Sequence, residues 1–325
     1  MTQSTIPDLL EDTGGHFTAG AGSGGSDAKR IEGRTPTQLA LLRLRKDKAA
    51  LISGVVVILL ILVAIFAPVI TGLIGHGPNT QYRHTGLTPS DIPVGPNAHF
   101  LLGADDFGRD LLSRLVYGAR VSLFVGLVTT AGSLLIGVIV GLVAGYFGGP
   151  LDTVLSRITD IFLSFPSLLF AISLVGVFGQ SINLVVYIII AVSWPVFMRI
   201  TRGQVLSLRE KEFVEAARSL GSGNLRIMFI DILPNLVAPL IVYSTLQIPV
   251  NIIYESTLSF LGLGVKIPTA SWGDTLSAAS AFYTVKPTFL LFPILALLIT
   301  TLSFNILGDG LRDAFDPRSA RTMAK

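Results

Sequence analysis

Hydrophobic residues occur in long runs along this chain, and the polar residues are gathered between the runs. A bilayer core about 30 Å thick is crossed by about 20 apolar residues in a helix. Six stretches are of about that length, over residues about 50–71, 121–146, 161–179, 182–198, 236–258 and 288–307. The pattern predicts an all-α integral membrane protein with six transmembrane helices. Only residues 179–181 separate the third span from the fourth, which predicts a tight helical hairpin.

The connection between the first two spans divides into two parts. Residues 72–97 are rich in turn formers, with four prolines. The segment Asp105–Ala119 then reads DDFGRDLLSRLVYGA, in which the apolar residues repeat at helical spacing. This repeat predicts a short amphipathic helix that lies on the membrane or on a partner.

The distribution of Lys and Arg predicts the orientation, because cytoplasmic loops carry an excess of these residues. With the N-terminus placed inside, eighteen Lys and Arg residues fall on the cytoplasmic side and six on the outer side. Both termini are therefore expected in the cytoplasm. The first apolar run begins near residue 50 and is too long for a cleavable signal, so we expect it to remain as an anchor. Residues 1–35, rich in Gly and Ser, are expected to form a flexible cytoplasmic tail.

Composition agrees with a membrane protein and excludes several other classes. Of 325 residues, 50% are hydrophobic and 14% are charged, with a mean hydropathy of +0.67. Soluble domains carry roughly 25% charged residues, so a soluble fold is excluded, as is overall disorder. The chain has no Cys, which excludes disulfide scaffolds and zinc fingers. It has no basic stripe interleaved with aromatic residues, so we expect no nucleic-acid partner.

No motif in the sequence predicts catalysis. There is no G-x-x-x-x-G-K-[ST] phosphate-binding loop, no H-E-x-x-H and no G-x-S-x-G. The four His residues are scattered at positions 16, 76, 84 and 99. We therefore expect no catalytic residues, no metal site and no cofactor bound by this chain.

Small residues in the second span predict close helix packing. Gly137, Gly141 and Gly145 are four residues apart and line one helical face, which allows two helices to approach closely in lipid. We favour this packing role over direct contact with a substrate. Near the cytoplasmic boundary, Arg157 and Asp160 are three residues apart and are expected to form an ion pair.

Two residues near the outer surface have more than one interpretation. Glu255 lies near the outer end of the fifth span, where burying a charge is costly. It either contributes to a translocation path or gate, or is a snorkelled or paired carboxylate. Trp272 follows at a depth typical of the membrane interface. The segment 258–272 either shapes an outer gate or contacts a partner, or it is a structural re-entrant turn.

The connection between the fourth and fifth spans carries a short helical pattern. Lys211–Gly221 reads KEFVEAARSLG, with Phe213, Ala217 and Leu220 on one face and Gly221 suited to end the helix. A second short apolar helix is expected over residues 225–233, before Pro234. Spacing alone leaves two interpretations: a helix that docks on a partner, or a passive linker lying on the inner leaflet.

Motifs along the chain together resemble a known family. The sequence EAA, three residues and then Gly221, followed by Leu233-Pro234, resembles the EAA loop of ABC importer permeases. The wider chain, over residues 36–320, is similar to the C-type permease subunit of dipeptide, oligopeptide and nickel importers. The matching segments are His99–Leu123, Glu215–Asn235, Leu258–Gly273 and Gly308–Arg318. Ala104 and Asp231 depart from the family pattern, which usually has Thr at the first position and an apolar residue or His at the second.

The resemblance implies a fold, partners and residue roles. The fold is that of type I ABC importer permeases, with a tail at 1–35, the first span and outer loop at 36–120, a core at 121–312 with the EAA loop at 211–235, and a C-terminal tail at 313–325. The implied partners are a homologous second permease in a heterodimer, two cytoplasmic ABC ATPases that bind ATP and Mg, and an extracytoplasmic binding protein. The implied location is the bacterial plasma membrane. Coupling to the ATPase is assigned to Glu215, Ala216, Ala217, Gly221, Leu233 and Pro234, with secondary contacts to the ATPase or the EAA loop at Asp309, Arg312, Asp313 and Arg318.

The implied function is transport of peptides, and the sequence leaves alternatives to it. Nickel, glutathione or another small solute are alternative substrates for the same permease role. An ion-coupled secondary transporter would carry its own energy coupling and often shows repeated halves, whereas this sequence is short of mid-membrane carboxylates and shows no clear repeat. A membrane scaffold without transport is the remaining alternative, and it would not copurify with an ATPase stimulated by substrate.

Overall fold

The computed structural model of the chain describes residues 36–316, so the tail at 1–35 and Arg318 lie outside the described residues. Within this range the secondary structure is helical, and the only β-type pairings are two isolated bridges, Leu87 with Pro93 and Ala104 with Asp110. The elements are, in chain order, α1 (Pro36–Leu44), α2 (Lys48–Ile65), α3 (Ala67–Ile74), α4 (Arg83–Gly86), α5 (Leu111–Phe147), α6 (Gly149–Ser164), α7 (Ser167–Phe178), α8 (Ile182–Leu208), α9 (Glu212–Ser219), α10 (Asn224–Arg226), a π-helical segment (Ile227–Ile232), α11 (Leu233–Phe260), α12 (Trp272–Ser280) and α13 (Pro287–Phe315).

Five helical stretches in the described range are long and apolar enough to cross a membrane, and α6 with α7 makes a sixth if the bent pair is one span. The five are α2, α5, α8, the continuous helix Asn224–Phe260 and α13. The predicted all-helical membrane fold is confirmed. Most of these helices extend beyond the apolar runs that predicted them, because polar residues continue the helix outside the hydrocarbon region.

The third span differs from its prediction. Residues 161–179 form one apolar run, yet α6 and α7 are bent by 81° at residues 165–166. Pro166 disfavours the helical conformation in the residue before it, and Phe165 has an extended ψ of 133°. The prediction of a single helix over this run is therefore wrong.

The amphipathic patterns predicted two separate short helices, and both predictions are wrong. Asp105–Asp110 forms turns, and the helix that begins at Leu111 continues without a break to Phe147. Leu111 is fully buried in the protein core, so the apolar face of this segment does not lie on a membrane surface. The helix predicted over residues 225–233 similarly does not end before Pro234. It continues through the π-helical segment into α11.

The bundle has two ends, which we name by the short helix at each. The α9 end holds the C-termini of α5, α8 and α13 and the N-terminus of α11, whereas the α12 end holds the loop 75–110. At the α12 end a hydrophobic core joins α2, α5, α11, α12 and α13. At the α9 end a second core joins α5, α8, α9 and the start of α11.

Helix α1 packs on the end of α13. The Arg43 guanidinium donates hydrogen bonds to the carbonyls of Ala314 (3.3 Å) and Asp316 (2.8 Å). These carbonyls end α13 and lack helical partners, so α1 satisfies them. The next helix, α2, is capped by Asp47, whose carboxylate accepts from the backbone N–H groups of Ala49 and Ala50.

Candidate functional site

Helix α9 presents the residues assigned to coupling at an exposed surface. Glu215 and Ala216 are exposed and Ala217 is half-buried. Glu215 lies in the first turn and Arg218 in the last, an arrangement that the helix dipole favours. Gly221 follows the helix with a φ of +78°, a conformation that glycine adopts without steric cost.

Of the apolar face predicted for this helix, only Ala217 packs on the protein core. Phe213 is 41% exposed and Leu220 is 86% exposed. Val214 is fully buried instead, against residues of the π-helical segment and of α5 and α8. Two apolar side chains of α9, Phe213 and Leu220, thus remain exposed on the face that points away from the protein core, where a partner protein can cover them.

The remaining residues assigned to coupling start α11. Leu233 is half-buried and packs on the same core as Val214, and Pro234 is exposed where the π-helical segment continues into α11. Asp231, a departure from the family pattern, lies in the π-helical segment. Its Oδ2 atom is buried and has no hydrogen-bond partner among the described residues.

The three glycines of α5 lie against α8. A Cβ atom placed on Gly137 would come within 2.4 Å of Phe197, and one on Gly141 within 2.7 Å of the Met198 carbonyl oxygen. A Cβ on Gly145 would be 2.8 Å from the Val205 Cβ. The absence of side chains at these positions therefore lets the two backbones approach.

Helices α6 and α8 are joined by ion pairs at the α9 end. Arg202 binds Asp152 in a bidentate pair at 2.5 and 2.7 Å. Asp160 is 2.6 Å from Arg199 and 3.8 Å from Arg157. The Arg157 side chain is 79% exposed, so the pair predicted from i, i+3 spacing is the weaker of the two contacts that Asp160 makes.

Glu255 is fully buried where α5 meets α11. Its carboxylate accepts hydrogen bonds from the hydroxyls of Ser259 (2.7 Å), Ser122 (2.8 Å) and Ser256 (3.3 Å). The carboxylate is thus held by neutral hydroxyl groups, and it does not reach the surface as a snorkelled side chain would.

A second polar group lies one turn away from Glu255 on α11. The Asn251 side chain is buried, donates to the Thr130 hydroxyl (2.9 Å) and accepts from Ser193 and Gln247 (both 3.1 Å). It thereby links α5, α8 and α11 inside the bundle. The sequence carried a signal for this contact, because Gln247, Asn251 and Glu255 are polar residues spaced by four in an otherwise apolar span.

Trp272 is buried inside the protein. Its indole N–H donates to the Leu115 carbonyl at 2.9 Å, and its ring packs in the core at the α12 end. Beside it, Arg114 is 1% exposed and pairs with Asp274 at 2.8 Å and with Asp105 at 3.2 Å. These contacts join the loop 75–110, α5 and α12, and sequence reasoning missed them because the partners are far apart in the chain.

Two carboxyl groups around this network, Asp274 and Asp106, have pKa values raised above the ordinary value. Burial raises the pKa of Asp274, against the opposing effect of Arg114. Burial, followed by the nearby Asp105, raises the pKa of Asp106 from 3.8 to about 6. Both groups lie outside the membrane-spanning helices.

The acidic and basic residues at the end of α13 lie on its surface. Asp309, Arg312 and Asp313 are all exposed. Arg312 also lines a cleft of about 530 Å³ between α8, α11 and α13. In the described range no group of three or more His, Cys, Asp and Glu residues is arranged to hold a metal ion.

The fold and this arrangement define a class of protein, a multi-pass helical membrane protein with a short exposed helix anchored at one end. The backbone resembles a chain of the MetNI methionine ABC transporter in an inward-facing conformation, with a TM-score of 0.53, 18% identity and coverage of 63% of this chain and 97% of that one. Residues 137–321 match the family described as "Binding-protein-dependent transport system inner membrane component", and residues 35–89 match the "N-terminal TM domain of oligopeptide transport permease C". The chain belongs to this family of transport permeases.

Relatives cover most of the chain and most of their own length. The dipeptide transport system permease protein DppC of Alkalihalophilus pseudofirmus is 43% identical over 87% of this chain and 90% of its own. The oligopeptide transport system permease protein OppC of Bacillus subtilis is 38% identical over 92% and 95%. The glutathione transport system permease protein GsiD of Pectobacterium atrosepticum is 36% identical over 88% and 92%.

Proposed function

We propose that this chain is one of two permease subunits of an ATP-driven importer for di- or oligopeptides. The observation that carries the proposal is the exposed helix α9 with its EAA sequence, anchored by Val214 in a chain that belongs to a transport permease family. The peptide assignment is supported by the relatives, which are named for dipeptide and oligopeptide transport.

The proposed complex has divided roles. A homologous second permease completes the translocation path, two cytoplasmic ATPases bind ATP and Mg, and a binding protein delivers the substrate to the outer face. The chain lies in the bacterial plasma membrane with both termini and α9 in the cytoplasm. The excess of Lys and Arg on that side supports this orientation.

Helix α9 acts as the coupling helix in this proposal. Glu215 anchors it by polar contacts with the ATPase, Ala216 and Ala217 permit close approach, and Gly221 makes the sharp turn that follows. Leu233 and Pro234 fix the start of α11. Closure of the ATPases moves α9, and because Val214 is buried in the core, the spans move with it.

The other predicted sites have subordinate roles. Asp309, Arg312 and Asp313 make secondary contacts with the ATPase, which their exposure permits; Arg318 belongs to the same predicted set. Glu255 and Trp272 hold the outer gate, since the first ties α5 to α11 and the second ties α12 to α5. Gly137, Gly141 and Gly145 keep α5 and α8 together.

Uptake in a strain deleted for this gene tests the proposal. Labelled dipeptide, pentapeptide, glutathione and Ni²⁺ are supplied separately, with and without a plasmid that carries the gene. We expect peptide uptake to require the gene. Uptake that requires the gene for glutathione alone would support the second candidate substrate, which the GsiD relatives favour; gene-dependent uptake of Ni²⁺ alone would overturn the peptide assignment.

Copurification tests the division of labour. A tagged chain is expected to bring down the second permease and the ATPases, and loaded binding protein is expected to stimulate ATP hydrolysis by the complex. ATP hydrolysis by the purified chain alone would overturn the proposal.

A further inference from the structure

A buried cluster lies directly beneath helix α9. We name it the joint cluster. It consists of Leu142 and Tyr146 of α5, Val205 of α8, Val214 of α9, and Ile227, Met228 and Ile232 of the π-helical segment. Each of these residues is no more than 7% exposed. Three elements that follow one another in the chain and the distant helix α5 thus share one apolar contact at the base of α9.

One hydrogen bond ties α5 to the turn that follows α9. The Tyr146 hydroxyl and the Asn224 Oδ1 atom are 2.9 Å apart, across 78 residues of sequence. Asn224 starts the short helix that leads into the π-helical segment. The bond therefore connects the last turn of α5 to the start of the helix that becomes α11.

The π-helical segment itself is held by burial. A π-helix is rare and occurs most often as a short insertion, frequently at functional sites. Three of its six residues here, Ile227, Met228 and Ile232, point into the joint cluster. The wide turn is thus stabilised by side chains that pack on Val214 and Tyr146.

Chain connectivity alone does not link α9 to α5. Helix α9 follows α8 after Arg209–Lys211 and precedes α11 through a short turn, but α5 is separated from it by more than sixty residues. The contacts to α5 are Tyr146 and Leu142 in the joint cluster. Arg209, just before α9, also donates to the Gly145 carbonyl at 2.9 Å.

We propose that the joint cluster transmits displacement of α9 to α5 as well as to α8 and α11, so that the three spans move as one body. Tyr146 is a positioning residue in this role, through its bond to Asn224. The close backbone contact of α5 with α8 at Gly141 and Gly145 keeps these two spans together during the motion. This inference rests on the proposed function, because it assumes that an ATPase moves α9.

The substitution Tyr146→Phe tests it by removing one hydroxyl and keeping the ring. The complex with the ATPases and the second permease is reconstituted in liposomes, and peptide imported per ATP hydrolysed is measured with the labelled peptide that the wild-type strain takes up. We expect this ratio to fall about three- to tenfold, as the loss of one partly buried hydrogen bond permits, while ATP hydrolysis continues. The matched control Tyr187→Phe removes a hydroxyl from a side chain that is 66% exposed and should leave the ratio unchanged.

A double-mutant cycle identifies the bond as the cause. Asn224→Ala should lower the ratio as Tyr146→Phe does, and the double variant should be no worse than either one. Asn224→Asp keeps an acceptor oxygen for the Tyr146 hydroxyl and should therefore retain most of the wild-type ratio.

Two outcomes would overturn the inference. One is wild-type rates of both import and ATP hydrolysis in Tyr146→Phe. The other is a loss of equal size in both rates, which leaves the ratio unchanged and would show that the bond serves assembly. A wild-type complex that imports none of the labelled peptides would instead count against the proposed function.

Discussion

Asp106 is a carboxyl group whose surroundings disfavour its charged form. Its pKa is raised from 3.8 to about 6, first by burial and then by Asp105. The folded state therefore holds this proton more tightly than the unfolded state does. Its stabilising contribution is complete below the unfolded pKa and is lost as the pH rises through about 6.

The variant Asp106→Asn should therefore stabilise the protein at neutral pH. We expect a higher melting temperature than wild type at about pH 7.5, and a difference that shrinks as the pH falls towards 4, because Asn resembles the protonated acid. The control Asp91→Asn changes an exposed carboxylate in the same loop and should have little effect at either pH. A destabilisation of equal size at both pH values would refute this account of Asp106.

Glu255 should stabilise the fold through the hydrogen bonds that its side chain accepts. Glu255→Ala leaves three buried serine hydroxyls without their acceptor and opens a cavity, which we expect to cost about 2–4 kcal/mol in unfolding free energy. Glu255→Gln keeps an acceptor and should cost less than about 1 kcal/mol. Thermal unfolding in detergent measures both, with Glu210→Ala, at a side chain 73% exposed, as the control. If Gln proved as damaging as Ala, the charge and not the hydrogen bonding would be the requirement.

At the scale of elements, the contact between α5 and α8 depends on the absence of side chains. Gly141→Ala places a Cβ 2.7 Å from the Met198 carbonyl oxygen, so the helices must separate. We expect a loss of about 1–3 kcal/mol, typical of overpacking, seen as a lower melting temperature. The same change at Gly176 on α7, where nothing lies within 4 Å, should be neutral or slightly stabilising. Equal effects at the two positions would contradict the close-approach explanation.

The turn after α9 gives a second prediction at this scale. Gly221→Val forces a β-branched residue into a φ of +78°, which costs about 1–2 kcal/mol and displaces the end of α9. Peptide uptake should fall while the complex still hydrolyses ATP. Gly223→Val is the matched control, since Gly223 has an ordinary φ of −69° and open space around it. Undiminished uptake by the Gly221 variant would remove this residue from the coupling machinery.

The elements predicted best from the sequence are those that a local pattern determines, either a long apolar run or a short helical repeat ended by glycine. Apolar runs placed five spans, and the pattern ending at Gly221 placed α9. The bend at Pro166 was missed because hydropathy does not register a proline in an apolar run. The amphipathic segment before Ala119 was misassigned because its apolar face is covered by distant residues such as Trp272, and spacing alone does not identify what covers a face. Val214 was missed for the same reason.

At the scale of the whole molecule, orientation can be tested without first removing native thiols, because the chain has no Cys. Ser90→Cys lies in the loop at the α12 end, and Lys46→Cys lies between α1 and α2 at the other end; both positions are exposed. In intact spheroplasts a membrane-impermeant maleimide should label position 90 alone, and permeabilisation should add position 46. The reverse order would place α9 outside and overturn the coupling proposal.

The bend between α6 and α7 has a consequence for biogenesis. Helix α7, with 12 residues, is about 18 Å long and falls short of the roughly 30 Å hydrocarbon thickness. Asp152 and Asp160 of α6 find their partners Arg202 and Arg199 on α8, which the ribosome makes later. Neither helix length nor these ion pairs are therefore complete within the segment 149–178 alone, and we expect it to insert stably only together with α8.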